Sequence, residues 1–288
     1  MKIPRSLLLL CLAAAAVASA SAQITVDLSI KRRLFIANEP LIATVTVNNL
    51  TGRDITLADT PQMPWFSFQV NGRGERIIGP RNPNYGLDPL EIKAGGSMRR
   101  SVNLNELYQI ADYGIYRIRA NIYFAEAKKF FSSKPTAIEI TDGRLLWKRN
   151  VGSPSDDGVR TFSILGHQQG EYTVAYVRVE DREKGTVYCV HELGRMLEGQ
   201  PPLMEFDLAN NLYVLQLVGQ RDYVLSKIGI NGEYLGQTRY SAPKSRMYLR
   251  KLDDGQLQVV GGRRVEEVAQ NPANPPTKLS DRPPGLPK

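Results

Sequence analysis

The segment YRIRANI at residues 116–122 decides the fold class of the first half of the chain. Apolar and polar side chains alternate at every position, which is the period of a β-strand with one buried face. A helix would instead place its apolar residues three and four positions apart. The segment therefore predicts a strand that turns Arg117 and Arg119 toward solvent and buries the apolar residues between them.

The same alternation recurs on both sides of this segment, with turn residues between the runs. Asn48–Gly52 and Asn71-Gly72 are turn signals, and Gly79–Pro89 is a loop rich in proline, glycine and asparagine. Pro135 marks the last run as an edge strand or a bulge, because proline cannot donate to a sheet ladder. Short strands with frequent turns predict one β-sandwich over residues 23–142. The predicted strands lie at 24–30, 42–47, 65–70, 98–104, 115–124 and 130–141.

The segment DYGIYRI at residues 112–118 resembles the D-x-G-x-Y-x-C corner of immunoglobulin domains, with Ile118 in place of the cysteine. The wider pattern resembles bacterial extracytoplasmic Ig-like domains, including those related to the intracellular proteinase inhibitor of Bacillus and to macroglobulin-type domains. The resemblance implies an Ig-like β-sandwich over residues 23–142, in which the Tyr116 hydroxyl bonds back to the backbone. The residues to which it assigns structural roles are Tyr116, Gly114 and Asp112.

Residues 143–268 predict a second all-β unit, in which strands follow one another as hairpins. Asp142-Gly143 and the run Gly152–Gly158 bracket its boundary with the first unit. Asn231-Gly232 and Asp254-Gly255 are tight-turn dipeptides. The predicted strands lie at 172–180, 186–193, 203–208, 212–218, 223–230, 234–240, 248–252 and 256–261.

The stretch at residues 206–240 resembles one blade of an NHL-type β-propeller. With two poorer copies beside it, the unit would hold about three blades, whereas propellers close their ring with four or more. Two architectures therefore stay open for this antiparallel meander, namely an open propeller-like arrangement and a second sandwich. In either case the chain is predicted to be all-β, with an Ig-like sandwich followed by a second β-unit.

Residues 1–22 have the three parts of a secretory signal peptide in the right order. A short positive start precedes an apolar run at residues 7–17, and small residues follow at 20–22. Cleavage is expected before Gln23, with Ala20/Ser21 as the alternative. No other stretch is long and apolar enough for a spanning helix. The sequence therefore predicts a periplasmic or secreted protein without a transmembrane segment.

The ends of the chain also bear on disulfides and disorder. Cleavage removes Cys11 and leaves Cys189 alone, so no intramolecular disulfide is expected. Because secreted eukaryotic domains usually carry disulfides, this favours a bacterial source.

Residues 269–288 hold six of the 18 prolines and little apolar mass, which predicts a disordered Pro-rich tail.

The net charge of +8, or +6 without the signal peptide, favours acidic proteins or anionic envelope polymers as partners. No Lys/Arg-rich tract with interleaved aromatic residues occurs, so nucleic acid is not expected as a partner. Arg99 lies on the strand before Arg117 and Arg119. If the three arginines cluster, they form a basic sheet face that suits carboxylate or phosphate groups.

Catalytic motifs are scarce in this sequence. Cys189 and His191 lie two positions apart on a predicted strand, so both side chains point to one face, as a cysteine nucleophile and its base would require. Val187 and Leu193 share that face, which indicates a buried core instead. With two histidines in the chain, a three-histidine zinc site would lack a ligand, and neither a G-x-S-x-G elbow nor a phosphate-binding loop occurs. No metal or other cofactor is expected.

These observations predict an exported, non-catalytic binding protein of the bacterial cell envelope. Its partner would be a protein or an anionic polymer. One alternative is a protease inhibitor that presents Thr60–Pro64 or Gly79–Pro89 to a protease cleft. The other is an enzyme that uses Cys189 and His191.

Overall fold

The computed structural model describes residues 23–82, 86–154, 158–197, 199–242 and 246–268. These residues fold almost entirely into β-sheets, and nearly all neighbouring strands are antiparallel, as the sequence predicts. The predicted signal peptide at 1–22 and the predicted tail at 269–288 lie outside the described residues.

The first half of the chain, residues 23–142, forms two facing sheets and a small ribbon. Its described strands are β1 (Gln23–Ile30), β2 (Leu34–Ile36), β3 (Ile42–Leu50), β4 (Ile55–Leu57), β5 (Phe66–Asn71), β6 (Ile77–Ile78), β7 (Leu90–Ile92), β8 (Ser97–Asn103), β9 (Gly114–Phe124), β10 (Lys129–Ser132) and β11 (Thr136–Thr141). A 3-10 turn (Arg73–Glu75) lies between β5 and β6, and helix α1 (Leu104–Leu107) follows β8. One sheet has the order β1-β3-β8, the other has the order β2-β11-β9-β5-β6, and β4 pairs with β7.

The two facing sheets bury one continuous apolar core. In β9, Tyr116, Ile118, Ala120 and Ile122 are buried, whereas the residues between them face outward. Ala43, Val45 and Val47 of β3 and Phe66, Phe68 and Val70 of β5 belong to the same core. The period of two in the sequence therefore gives the correct buried face for each of these strands.

The chain changes sheets near its start. Strand β1 pairs antiparallel with β3 in one sheet, and three residues later β2 pairs parallel with β11 in the other sheet. The run 130–141 is not the single edge strand that Pro135 predicts. It is divided around Pro135 into β10, which pairs with β9, and β11, which lies between β2 and β9. Both of these strands pair with β9, at different levels along its length.

The second half of the chain, residues 143–268, contains two antiparallel meanders. Its described strands are β12 (Arg144–Gly152), β13 (Val159–Gln169), β14 (Tyr172–Asp181), β15 (Thr186–Met196), β16 (Leu203–Phe206), β17 (Leu212–Leu217), β18 (Asp222–Ile228), β19 (Tyr234–Ser241), β20 (Tyr248–Lys251), β21 (Leu257–Val260) and β22 (Arg263–Val268). The first sheet has the order β12-β13-β14-β15, the second has the order β16-β17-β18-β19-β22, and β20 pairs with β21. Both sheets contribute to one core, which joins Phe162, Val177 and Leu193 to Phe206, Val214 and Ile228.

The run Gly152–Gly158 is a connection inside one sheet. Strands β12 and β13 on either side of it pair antiparallel from Arg144 to Gly152. Glycine, proline and serine mark a turn, but they do not distinguish a hairpin from a boundary between units. Asp142-Gly143 lies directly between β11 and β12, and the boundary between the two units stays a prediction.

The two halves meet on the face of the β12-β13-β14-β15 sheet that points away from the second meander. Ile36 packs there with Leu165, Val174, Tyr176 and Val190. Strand β13 is consequently buried on both of its faces, with the core of the second half on one side and the first half on the other.

A buried polar cluster surrounds this apolar contact. The carboxylate of Glu39, 2% exposed, accepts the Ile36 N–H at 2.7 Å and pairs with Arg32 at 2.5 Å. Arg32 also donates to the hydroxyl of Tyr176, and it lies 3.8 Å from Glu192. Burial disfavours the charged form of Glu39 more than Arg32 favours it, so the pKa of Glu39 is raised to about 7.

Candidate functional site

The predicted basic face is divided between the two sheets of the first half. Arg117 and Arg119 lie on β9 and point outward from the six-stranded sheet, and both are exposed. Arg99 lies on β8 in the three-stranded sheet, opposite Thr46 of β3. The structure therefore brings Arg117 and Arg119 together but leaves Arg99 in a different sheet, because adjacent strands of a sandwich can belong to opposite sheets.

A groove of about 720 Å³ opens on the outward side of the six-stranded sheet, and we call it the outer-face groove. It is formed where three segments meet, namely the 3-10 turn after β5, the start of β9 and the end of β11. Of the predicted residues, Arg117 and Gly114 line it. The lining residues are Gly72, Arg73, Gly74, Glu75, Tyr113, Gly114, Ile115, Arg117, Glu139, Ile140, Thr141 and Asp142.

Charged side chains of both signs surround the outer-face groove. Arg117 forms an ion pair with Glu75. Among the described residues, Arg73 and Arg119 have no carboxylate partner, and both are exposed. Arg119 lies two positions beyond Arg117 on the same face of β9. Of Arg73 and Arg119, Arg73 lines the groove and offers a free guanidinium group to an anionic group of a ligand.

Two large apolar side chains lie exposed among these charges. Tyr113 is 59% exposed and Ile115 is 57% exposed. The Tyr113 hydroxyl donates to Asp142 at 3.0 Å, and Arg178 of the second half donates to the other oxygen of Asp142 at 3.0 Å. These bonds hold the tyrosine ring at the edge of the groove. Exposed tyrosine beside arginine is typical of the residues that dominate protein–protein binding energy.

The turn on one side of the groove has an uncommon backbone. Gly74 has φ +68°, and Glu75 follows it with φ +60°. Glycine adopts this left-handed region without cost, but glutamate rarely does. The neighbouring bonds hold Glu75 there, because its N–H donates to the Gly72 carbonyl at 3.1 Å and its carboxylate pairs with Arg117.

The corner beneath the groove is formed by the residues with predicted structural roles. The Tyr116 hydroxyl donates to the carbonyl of Asp112 at 2.7 Å, which is the kind of bond that the immunoglobulin resemblance implies. Gly114 between them has φ +137°, a conformation that residues with a side chain rarely adopt. The corner fixes the loop that carries Tyr113 into the groove.

We expect Tyr116→Phe to lower the free energy of unfolding by about 1 kcal/mol, because it removes one buried hydrogen bond and leaves the Asp112 carbonyl without its partner. Urea denaturation of the variant measures this. Tyr113→Phe is the matched control, since it removes an exposed hydroxyl from the same loop, and we expect it to cost less than about 0.5 kcal/mol. Equal losses of unfolding free energy for Tyr116→Phe and Tyr113→Phe would contradict a stabilising role of the Tyr116 hydrogen bond.

Cys189 and His191 both contact Gly232. The His191 imidazole bonds through Nε2 to the Gly232 carbonyl at 2.8 Å. Burial raises the pKa of the Cys189 thiol to about 12, which disfavours the thiolate that a nucleophile needs. The Cys189 sulfur also packs so closely against Gly232 that an added Cβ would lie 2.7 Å from it. The geometry of this pair indicates packing.

The sequence did not single out Arg73, Glu75, Tyr113 or Glu139 as site residues. Their segments are far apart in the chain, and only the pairing of β9 with β5 and β11 brings them to one place. An exposed tyrosine next to a predicted corner glycine was the one local signal for the groove.

Among the described residues, none of the helices has the length and apolar character that a bilayer crossing demands. No protein-family model and no curated protein matches the chain. The crystal structure of Spo0M, a sporulation control protein from Bacillus subtilis, is similar over 77% of this chain and 91% of that chain, at 10% identity and a TM-score of 0.28. A similarity this weak carries no argument, so function has to be argued from the geometry of this chain.

Proposed function

We propose that this chain is an exported, non-catalytic binding protein of the bacterial cell envelope, which holds a segment of a partner protein in the outer-face groove. One observation carries the proposal: exposed Tyr113 and Ile115 lie in a groove of about 720 Å³ beside Arg73, whose guanidinium has no carboxylate partner among the described residues. Apolar area contributes affinity, and the Arg73 guanidinium can pair with a carboxylate of the partner.

The proposal includes an Ig-like sandwich as the scaffold. It is supported by the early change of sheet, in which β1 and β2 pair in opposite sheets, and by the Tyr116 corner. In such a scaffold the sheet fixes the floor of a binding site, and loops and turns provide its rim. The 3-10 turn Arg73–Glu75 and the loop before β9 have these positions here.

Protease inhibition is the second candidate, and the loop Thr60–Pro64 favours it. Thr60 and Met63 exchange two backbone hydrogen bonds, at 2.9 and 3.3 Å, and Met63 is 42% exposed. Asp59 accepts the Trp65 N–H at 2.8 Å, which anchors the far end of the loop. The loop is thus exposed and braced, which an inhibitory loop requires. The alternative loop Gly79–Pro89 is only partly described.

The test is capture of partners by tagged mature protein, residues 23–288, from solubilised envelope of the source cell, with cross-linking and mass spectrometry. We expect a specific envelope protein, cross-linked near the outer-face groove. We expect Ile115→Asp to weaken its binding at least about tenfold, because the substitution removes an exposed apolar contact and places a charge in its place.

Leu145→Asp is the matched control, since Leu145 is 55% exposed on β12 and lies outside the groove. It should bind like the wild type. Equal weakening by both variants, or capture of an anionic polymer alone, would contradict the proposal. A protease as the main captured protein would favour the inhibitor instead.

A further inference from the structure

A second groove lies at the open side of the sandwich, where the edges of its two sheets meet. Strand β1 is the outermost strand of the three-stranded sheet, and β10 lies at the border of the facing sheet. Residues of both strands line a groove of about 520 Å³, which we call the edge groove. Its lining residues are Ile24, Thr25, Val26, Asp27, Leu28, Lys129, Phe130, Phe131, Ser132, Lys134 and Thr136.

The backbone beside the edge groove has unused hydrogen-bonding capacity. Strand β1 pairs with β3 along all eight of its residues, and among the described residues no other strand pairs with its second edge. Strand β10 likewise pairs only with β9. Natural edge strands are usually short or interrupted by proline or by several charges. Strand β1 is eight residues long and pairs with β3 without a register shift. It contains no proline and has Asp27 as its one charged residue.

The side chains around the edge groove supply both apolar contacts and positive charge. Phe130 is 46% exposed, and Phe131 is partly buried against the core. Lys129 and Lys134 are exposed, and among the described residues neither has a carboxylate partner. Asp27 receives a hydrogen bond from Asn48 at 3.4 Å, within its own sheet. Two lysines against one carboxylate leave the groove positively charged.

We infer that the edge groove binds an extended, acidic segment of a partner protein, which adds to the free edge of β1 as a further strand. Main-chain hydrogen bonds to β1 would give affinity, as in other strand-addition complexes. Alternate side chains of the added strand would contact Phe130 and place carboxylates beside Lys129 and Lys134. The inference does not depend on the proposed function, because different residues form the two grooves.

Charge favours this occupant over a second copy of the chain. Two β1 strands paired antiparallel about a two-fold axis at Asp27 would set the Asp27 carboxylates of the two copies directly opposite each other. Like charges in this position destabilise pairing. In such a dimer, Asp27 would be the one acidic residue of the added β1 strand that could reach Lys129 and Lys134.

The test uses a displayed library of random linear peptides, selected on the mature protein and on the double variant Lys129→Glu, Lys134→Glu. We expect the wild type to enrich peptides in which acidic residues alternate with β-branched or aromatic residues. The best synthetic peptide should bind the double variant at least about tenfold more weakly, by calorimetry. It should also slow hydrogen exchange of backbone amides within β1.

The control is Arg144→Glu, Lys148→Glu, which makes the same change of charge at two exposed positions on β12. It should bind the peptide like the wild type. Enrichment without alternation or acidity, equal binding to the double variant, or unchanged exchange in β1 would each overturn the inference. So would a wild-type dimer that the double variant abolishes, since it would assign the edge to a second copy. If the glutamate variant unfolds, Lys129→Gln, Lys134→Gln replaces it.

Discussion

Arg160→Ala is expected to lower the free energy of unfolding by about 3–5 kcal/mol, the largest effect of any single substitution considered for this protein. The Arg160 side chain is 2% exposed and pairs at 3.1 Å with Asp181, which is 1% exposed. Its guanidinium also bonds to the Asn231 side chain at 3.3 Å and lies 4.5 Å from the centre of the Tyr188 ring. Alanine would remove all of these contacts and leave the buried Asp181 carboxylate with Lys184 at 3.6 Å and two backbone N–H donors as its partners.

Urea denaturation followed by circular dichroism measures this loss. Arg53→Ala is the matched control, because Arg53 pairs with Glu126 at 2.8 Å with both side chains more than half exposed. An exposed pair of this kind contributes less than about 1 kcal/mol.

The double variant Arg160→Met, Asp181→Leu removes both buried charges. It therefore distinguishes the loss of the ion pair from the cost of leaving one charge buried alone. We expect it to recover part of the stability that Arg160→Ala loses, since no buried charge remains unpaired but the N–H groups of Glu183 and Lys184 lose Asp181 as their acceptor. If Arg160→Ala costs no more than Arg53→Ala, the buried pair does not join these strands as the structure indicates.

The second large effect is a pH dependence of stability at the contact between the two halves. The pKa of Glu39 is about 7 in the folded protein, above its ordinary value of 4.5. The folded state therefore binds a proton more tightly than the unfolded state between these values. Glu39 contributes stability that is fully present below about pH 4.5 and is lost as pH rises through 7, by up to about 3 kcal/mol.

Other charged and titratable groups lie at this contact. Arg32, Tyr176 and Glu192 face Glu39, and His167 lies beside Arg32 and the Tyr176 ring. Burial lowers the pKa of His167, so its contribution is present above its ordinary value of 6.5 and is lost as pH falls. The slopes of His167 and Glu39 are opposite, and the wild-type curve alone does not separate them.

The variant Glu39→Gln isolates the carboxyl, because every other group stays in place. We expect its stability relative to the wild type to rise steadily from pH 4.5 to pH 8 in urea denaturation series. Glu126→Gln, at an exposed carboxylate, should give a difference from the wild type that changes little over the same range. A flat difference for Glu39→Gln would show that the Glu39 carboxyl titrates normally.

Much of the fold could be predicted because most strands have one buried face. Strands β14 to β21 lie within a few residues of their predicted bounds, and the tight turns at Asn231-Gly232 and Asp254-Gly255 separate strands as expected. Strand β13 was missed because it is buried on both faces, so that its sequence, VRTFSILGHQQ, has no period of two. Strand β12 was missed because its residues are mostly exposed, without alternation.

The candidate site was only partly predictable for a related reason. Alternation shows which way Arg117 and Arg119 point, and this direction follows from β9 alone. It does not show which strands are neighbours, so Arg99 was grouped with them although it lies in the other sheet. Tyr113 and Arg73 meet only through long-range pairing, for which one sequence contains no local signal.

The shared contact at Ile36 has a consequence for the order in which the chain folds. All strands of the first two sheets lie within residues 23–141, so the first half can complete its own core before β12 has been synthesised. The second half differs, because Leu165, Val174 and Val190 remain uncovered until Ile36 is in place. A chain that emerges from its amino end therefore presents a finished template to the later strands. A fragment of the second half alone would expose this apolar face and be prone to aggregation.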